Sequence, residues 1–178
     1  MRRLLILVLT LIPMQLLAAS DAVDRNVVFG MYSGLTLVID VHRPAKPDGA
    51  AIIAIQGSAW YVPMRYDAAP ITARSEIQAF ARHLAQAGYT VFVINHRAAP
   101  RFRFPAPLED TRRAVRYVRA HAAEYQVDPS RIGAMGSSSG GHLAHLLGTM
   151  DDDGYPQDED PVERQSEGAS RGHLVCTV

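Results

Sequence analysis

The chain has 178 residues, with 18 Lys and Arg against 18 Asp and Glu and no formal net charge. That balance gives no electrostatic footprint for a nucleic-acid partner or an anionic surface. Hydrophobic residues make up 48%, which suits one packed domain plus an apolar leader, and the single cysteine, Cys176, excludes an internal disulfide framework.

Residues 1–20 read as a secretory signal. Arg2 and Arg3 form the charged end, Leu4 to Leu17 the apolar core with Pro13 inside it, and Ala18-Ala19-Ser20 the small residues for cleavage. The competing reading is a membrane anchor, but the apolar run is short of the ~20 residues a span needs. The expected mature chain is therefore 21–178, a secreted or periplasmic domain with no stable membrane span after cleavage.

The mature part alternates strand and helix signals. Asn26 to Gly30 and Thr36 to His42 predict two strands joined at Tyr32-Ser33-Gly34. A Pro/Gly loop runs from Arg43-Pro44 to Gly49, and Ala50 to Ile55 is a continuous apolar run suited to a strand buried on both faces. Ser75-Glu76-Ile77-Gln78 has the spacing of a capping box, opening a helix with Ile77, Phe80, Ala81 and Leu84 on its packed face and Gly88 at its end. Thr90 to Asn95 predicts a further buried strand. Leu108 to Glu124 predicts a helix with Leu108, Val115, Val118 and Ala122 on one face. Glu109 and Asp110 suit the positive end of that helix, and Arg97, Arg101 and Arg103 read as solvated loop residues or an anion contact. Gly154 to Gly172 reads as a polar surface loop. Strands alternating with helices imply a mainly parallel sheet with helices on both faces.

After the turn at Asp128-Pro129, Arg131 to Met135 reads as a short apolar strand running into Gly136-Ser137-Ser138-Ser139-Gly140 and then a helix carrying Leu143, Leu146 and Leu147. A Gly-Ser run also suits a flexible linker, but a linker does not sit between a strand and an amphipathic helix. Gly-x-Ser-x-Gly in that context is a nucleophile elbow, with Ser138 held on a tight turn above the sheet. Acyl transfer also needs backbone donors around the developing oxyanion. The amide of Ser139 follows the candidate nucleophile directly. The loop Gln56-Gly57-Ser58-Ala59-Trp60 follows the third strand, and the amides of Ser58 and Ala59 are the expected further donors.

Several motifs in one order carry a resemblance: Asp40-Val41-His42-Arg43-Pro44, Gln56 to Trp60, Asn95-His96-Arg97-Ala98-Ala99-Pro100, Phe104 to Asp110, Asp128 to Gly133, and Gly136 to Ala144. Together they resemble the α/β-hydrolases of the hormone-sensitive-lipase-like and feruloyl- and acetyl-xylan-esterase-like (BD-FAE-like) group. The resemblance implies an α/β-hydrolase fold, here lacking the final strands. It implies a serine esterase acting on small-molecule or carbohydrate-linked esters through Ser138, with no cofactor, metal or nucleic acid. Two departures stand out. Gln56-Gly57-Ser58-Ala59 replaces the family's His-Gly-Gly-Gly, and the family's acid and histidine lie beyond Val178.

Within this chain His142, His145 and His173 follow Ser138. His142 lies one helical turn beyond it and reads as structural, although side chains leaning toward the helix N-terminus also bring it near the site. His173 follows the acidic stretch Asp151 to Asp160, so serine, acid and histidine occur in order on paper. Asp151-Asp152-Asp153-Gly154 lacks the alternating carboxylates of a calcium loop. The expectation is a partial hydrolase domain of low activity. A serine peptidase of the same fold and a non-catalytic binding module are the alternatives.

Overall fold

The computed structural model describes residues 22–150 and 153–167, and the backbone of 175–177. The leader at 1–20, Asp151-Asp152 and His173 lie outside the described residues. β1 (Ala22–Tyr32) and β2 (Leu35–Arg43) form the expected hairpin, closed by Ser33 (φ 46°) and Gly34 (φ 82°). Two positive φ values in a two-residue loop give the turn whose twist matches its flanking strands. Then follow β3 (Ala51–Ile55), α1 (Ser75–Gln86), β4 (Thr90–Ile94), α2 (Ala106–Ala120), β5 (Ile132–Gly136), α3 (Ser139–Thr149) and β6 (Val175–Thr177).

The six strands lie in the order β1-β2-β4-β3-β5-β6. β1 and β2 are antiparallel, and β2 is antiparallel to β4; β4, β3, β5 and β6 run parallel. Side chains alternate across the central strands as the pleat requires. Ile53, Ile55, Phe92 and Ile94 face one side, where Leu108, Val115 and Val118 of α2 and Leu143 and Leu147 of α3 cover them. Ala54, Val91 and Val93 face the other side, beneath Ile77 and Ala81 of α1. This doubly covered, mainly parallel sheet is the architecture expected from the alternating pattern.

Local patterns mislead where a distant partner competes. Ser75 is the first helical residue of α1 rather than its cap; Arg74 holds the cap position and no side chain caps the helix. Gln78 is drawn inward instead. Its amide nitrogen donates to Asp40 Oδ2 at 3.1 Å and to the Thr72 carbonyl at 2.7 Å, and its oxygen accepts from His42 Nε2 at 3.0 Å. Asp40 is buried and gains Arg25 at 2.7 Å and the Asn26 amide at 3.0 Å. A buried carboxylate needs such donors more than an exposed helix end needs a cap. Phe80, placed by spacing on the packed face, is 42% exposed. α2 begins at Ala106 and ends at Ala120, earlier at both ends than its pattern suggests.

Arg97 is not a solvated loop residue. It is buried, with Nε 2.8 Å from Asp110 Oδ1, its own amide 2.6 Å from Oδ2, and its guanidinium 3.8 Å over the Tyr32 ring. Asp110 thus ties the loop after β4 to the first turn of α2. The segment after Gly154 is not wholly a surface loop either. Val162 and Glu167 are buried, Glu163 pairs with Arg113 and Arg116, and Glu167 pairs with Arg112 and Arg116, all on α2.

Asp110→Ala strands a buried guanidinium, and we expect it to lower the unfolding free energy by about 3–5 kcal/mol in urea titration. Glu109 pairs with Arg97 from a half-exposed position, so Glu109→Ala costs less than about 1 kcal/mol in the same titration.

Candidate active site

The pairings Ile55↔Ile94 and Ile55↔Gly136 bring the carboxyl ends of β4, β3 and β5 level. The loops leaving those ends carry Gln56 to Trp60, Asn95 to Pro100, and Ser137 to Ser139, so all three meet at one edge of the sheet. Helices leave β3 and β4 toward opposite faces there, which is where open α/β sheets bind ligands.

Ser138 follows Ser137 between β5 and α3, with φ 50° and ψ −120°. That left-handed conformation costs a non-glycine residue about 1–3 kcal/mol and persists only where the surroundings enforce it. The surroundings here are backbone. A Cβ on Gly136 would enter Gly140, and a Cβ on Gly140 would enter the carbonyl of Ile55. The two glycines let α3 start directly against the ends of β5 and β3, and the chain between them must turn sharply at Ser138. The Ser138 side chain is exposed, while Ser139 is buried.

The loop after β3 presses on this turn. A Cβ on Gly57 would collide with the Ser137 carbonyl and lie 3.0 Å from Ser138 Cβ. Tyr61 donates its amide to the Ser58 carbonyl at 2.9 Å, closing a turn with Ala59 (φ 51°) and Trp60 (φ 56°) at its centre. Neither is glycine, so each carries roughly 1–2 kcal/mol of left-handed strain. Three amides of the loop bond to elbow hydroxyls: Gly57 N to Ser137 Oγ at 3.2 Å, and Ser58 N and Trp60 N to Ser139 Oγ at 2.9 and 3.4 Å.

Of the expected oxyanion donors, the Ser58 amide is therefore engaged by Ser139 Oγ, because the residue after Ser138 carries a hydroxyl within its reach. The amides of Ala59 and Ser139 have no hydrogen-bond partner among the described residues; Ser139 opens α3, and a first helical N–H has no intrahelical acceptor. Sequence reasoning missed the roles of the Ser137 and Ser139 hydroxyls. Their signal was in plain view, since both variable positions of Gly-x-Ser-x-Gly are serine.

No imidazole hydrogen-bonds the Ser138 hydroxyl among the described residues. His142 is exposed on α3 and meets the Trp60 ring edge-on, with centroids 5.6 Å apart. The two rings, with Phe102, Phe104, Pro107 and Leu143, line an apolar cleft of about 370 Å³ beside the elbow. His96 lies beneath the loops, 5% exposed, with Nδ1 donating to the Arg97 carbonyl at 2.9 Å. Burial holds the His96 and His42 imidazoles below the ordinary histidine range.

The BD-FAE family model matches residues 39–173. The chain belongs to the BD-FAE family. Its fold is that of the α/β-hydrolases, as the expected resemblance implied. A probable carboxylic ester hydrolase, LipM, of Mycobacterium tuberculosis is 33% identical over 136 residues, spanning 73% of this BD-FAE chain and 29% of LipM. An acetylxylan esterase of Xylanibacter ruminicola is 29% identical over 107 residues, 60% of this chain and 20% of that one. The crystal structure of an acetyl ester-xyloside bifunctional hydrolase from Caldicellulosiruptor lactoaceticus superposes with a TM-score of 0.62 at 28% identity, covering 85% of this chain and 55% of that one. The chain spans less than a third of the length of these two curated relatives.

Because His42 and His96 are held below the ordinary value of 6.5, the unfolded chain binds protons that the fold does not. Their contribution is complete above that value and is lost as pH falls below it toward the folded values. Urea midpoints should drop between about pH 7.5 and about pH 5.5, and drop less in a His42→Gln, His96→Gln double variant.

Proposed function

We propose that this chain carries the nucleophile half of an exported carboxylic-ester hydrolase. One observation carries the reading: Ser138 is held in a left-handed turn between a parallel strand and a helix, with its side chain exposed and the Gly57 backbone against it. That places a hydroxyl where a carbonyl carbon can approach without passing through the fold.

In this mechanism Ser138 Oγ attacks the ester carbonyl and its proton passes to a base. The tetrahedral oxyanion is held by the amides of Ala59 and Ser139, the alcohol leaves, and water cleaves the acyl-enzyme. Amides fixed before the reaction need no reorganisation as charge develops. No imidazole among the described residues hydrogen-bonds the hydroxyl, so the base and its orienting acid are assigned to none of them. An unassisted serine is a weak nucleophile, so attack without that base is slow.

The substrate class rests on relatives named as carboxylic ester hydrolase, acetylxylan esterase and acetyl ester-xyloside hydrolase. A short acyl ester of a small alcohol or of a carbohydrate fits that company. Export rests on the charged, apolar and small-residue order of residues 1–20, and mass measurement of exported material should find a chain beginning near Ser20 or Asp21.

Turnover of short-chain aryl acetates by the chain should be slow and should disappear in Ser138→Ala. A phosphonate ester should label Ser138 and no other serine, read by mass spectrometry of the digested protein. Unchanged turnover in Ser138→Ala would remove Ser138 from the mechanism.

A further inference from the structure

We propose that the side-chain hydroxyl of Ser139 is a positioning residue, pinning the strained loop 57–60 to the elbow so that the Ala59 amide stays aimed at the reacting carbonyl. The proposal deepens the reading of Ser138 as nucleophile and rests on it for its chemical meaning.

Ser139 Oγ is buried and accepts two amides of the loop, Ser58 at 2.9 Å and Trp60 at 3.4 Å. Those amides flank Ala59. Ala59 and Trp60 both lie in the left-handed region, which L-residues leave unless something holds them. The turn's own bond, Tyr61 N to Ser58 O at 2.9 Å, fixes its closure but not its orientation toward Ser138. The β4 loop holds its far side, with Ala99 N on Trp60 O at 2.7 Å, and the side toward Ser138 is held from across the gap. Ser139 Oγ takes the amides on either side of Ala59, and Ser137 Oγ takes the amide of Gly57 at 3.2 Å. The three consecutive serines thus divide the work: the outer hydroxyls hold the loop, and the middle one is exposed and has no hydrogen bond among the described residues.

A hydroxyl accepting two amides is hard to replace. Alanine at 139 leaves the Ser58 and Trp60 amides unpaired in a part-buried place, and the loop can then rotate to find water. Ser139 acts twice through different atoms. Its amide is a candidate oxyanion donor by position, whereas its side chain acts on the reaction only through the loop.

The experiment compares the full chain with Ser139→Ala, Ser139→Thr and Ser138→Ala by amide exchange in NMR. In Ser139→Ala, exchange at Ser58 and Trp60 should quicken about five-fold or more, while the amides of β3, β4 and β5 keep their protection. Ser139→Thr retains the hydroxyl and should stay near the parent chain. Ser138→Ala should leave Ser58 and Trp60 protected. Unchanged exchange in Ser139→Ala overturns the proposal. Where turnover is measured, Ser139→Ala should lower kcat about 10–100-fold with KM unchanged. A raised kcat also overturns it, because the hydroxyl would then be withholding the Ser58 amide from the oxyanion. Should Ser138→Ala retain full turnover, the nucleophile reading fails instead, and the exchange result still decides the clamp.

Discussion

Backbone meets backbone at Gly140 and Ile55, and the site exists because nothing stands between them. A methyl group on Gly140 would occupy the space of the Ile55 carbonyl, and one on Gly136 would occupy that of Gly140. The contact sets how closely α3 approaches β3 and β5. From that distance follow the sharp turn at Ser138 and the reach of the Ser139 hydroxyl to the loop after β3. Interiors packed at crystal-like density transmit such displacements rather than absorb them. A helix start moved outward by one methyl would therefore shift the hydroxyl and the loop together.

A second constraint holds the neighbouring loop. The pairing of Arg97 with Asp110 fixes the chain leaving β4 against α2. Backbone bonds then join it to the loop after β3: Ala99 N to Trp60 O at 2.7 Å and Val62 N to Ala99 O at 2.9 Å. The Trp60 turn is thus held from two sides, by elbow hydroxyls and by the β4 loop. Rigid support from several elements keeps a strained segment from relaxing, and strain of this kind gathers where geometry matters for chemistry.

Much of this was legible in the sequence. Ala50 to Ile55 and Thr90 to Asn95 read as strands because unbroken apolar runs of that length fit a doubly covered sheet. The elbow read correctly because its glycines satisfy local steric demands, which a short motif encodes in full. What escaped were residues whose partners lie far along the chain. Gln78 has the spacing of a cap and serves a carboxylate on β2. Arg97 looks like a loop charge and lies buried against Asp110. Ser139 looks like spacing and holds an amide pair that follows β3. In each case the decisive partner is more than ten residues distant, beyond any periodicity.

The formal neutrality of the chain conceals a division. Arg112, Arg113, Arg116 and Arg119 line α2, while Asp160, Glu163, Ser166 and Glu167 of a later segment meet them. Synthesis proceeds from the N-terminus, so α2 emerges before the segment that neutralises it. For that interval the nascent chain presents a bare cationic ridge beside an unfinished sheet. Glu167 ties the two sides most closely: its buried carboxylate meets both Arg112 and Arg116, so the loss of either cation leaves it held by the other.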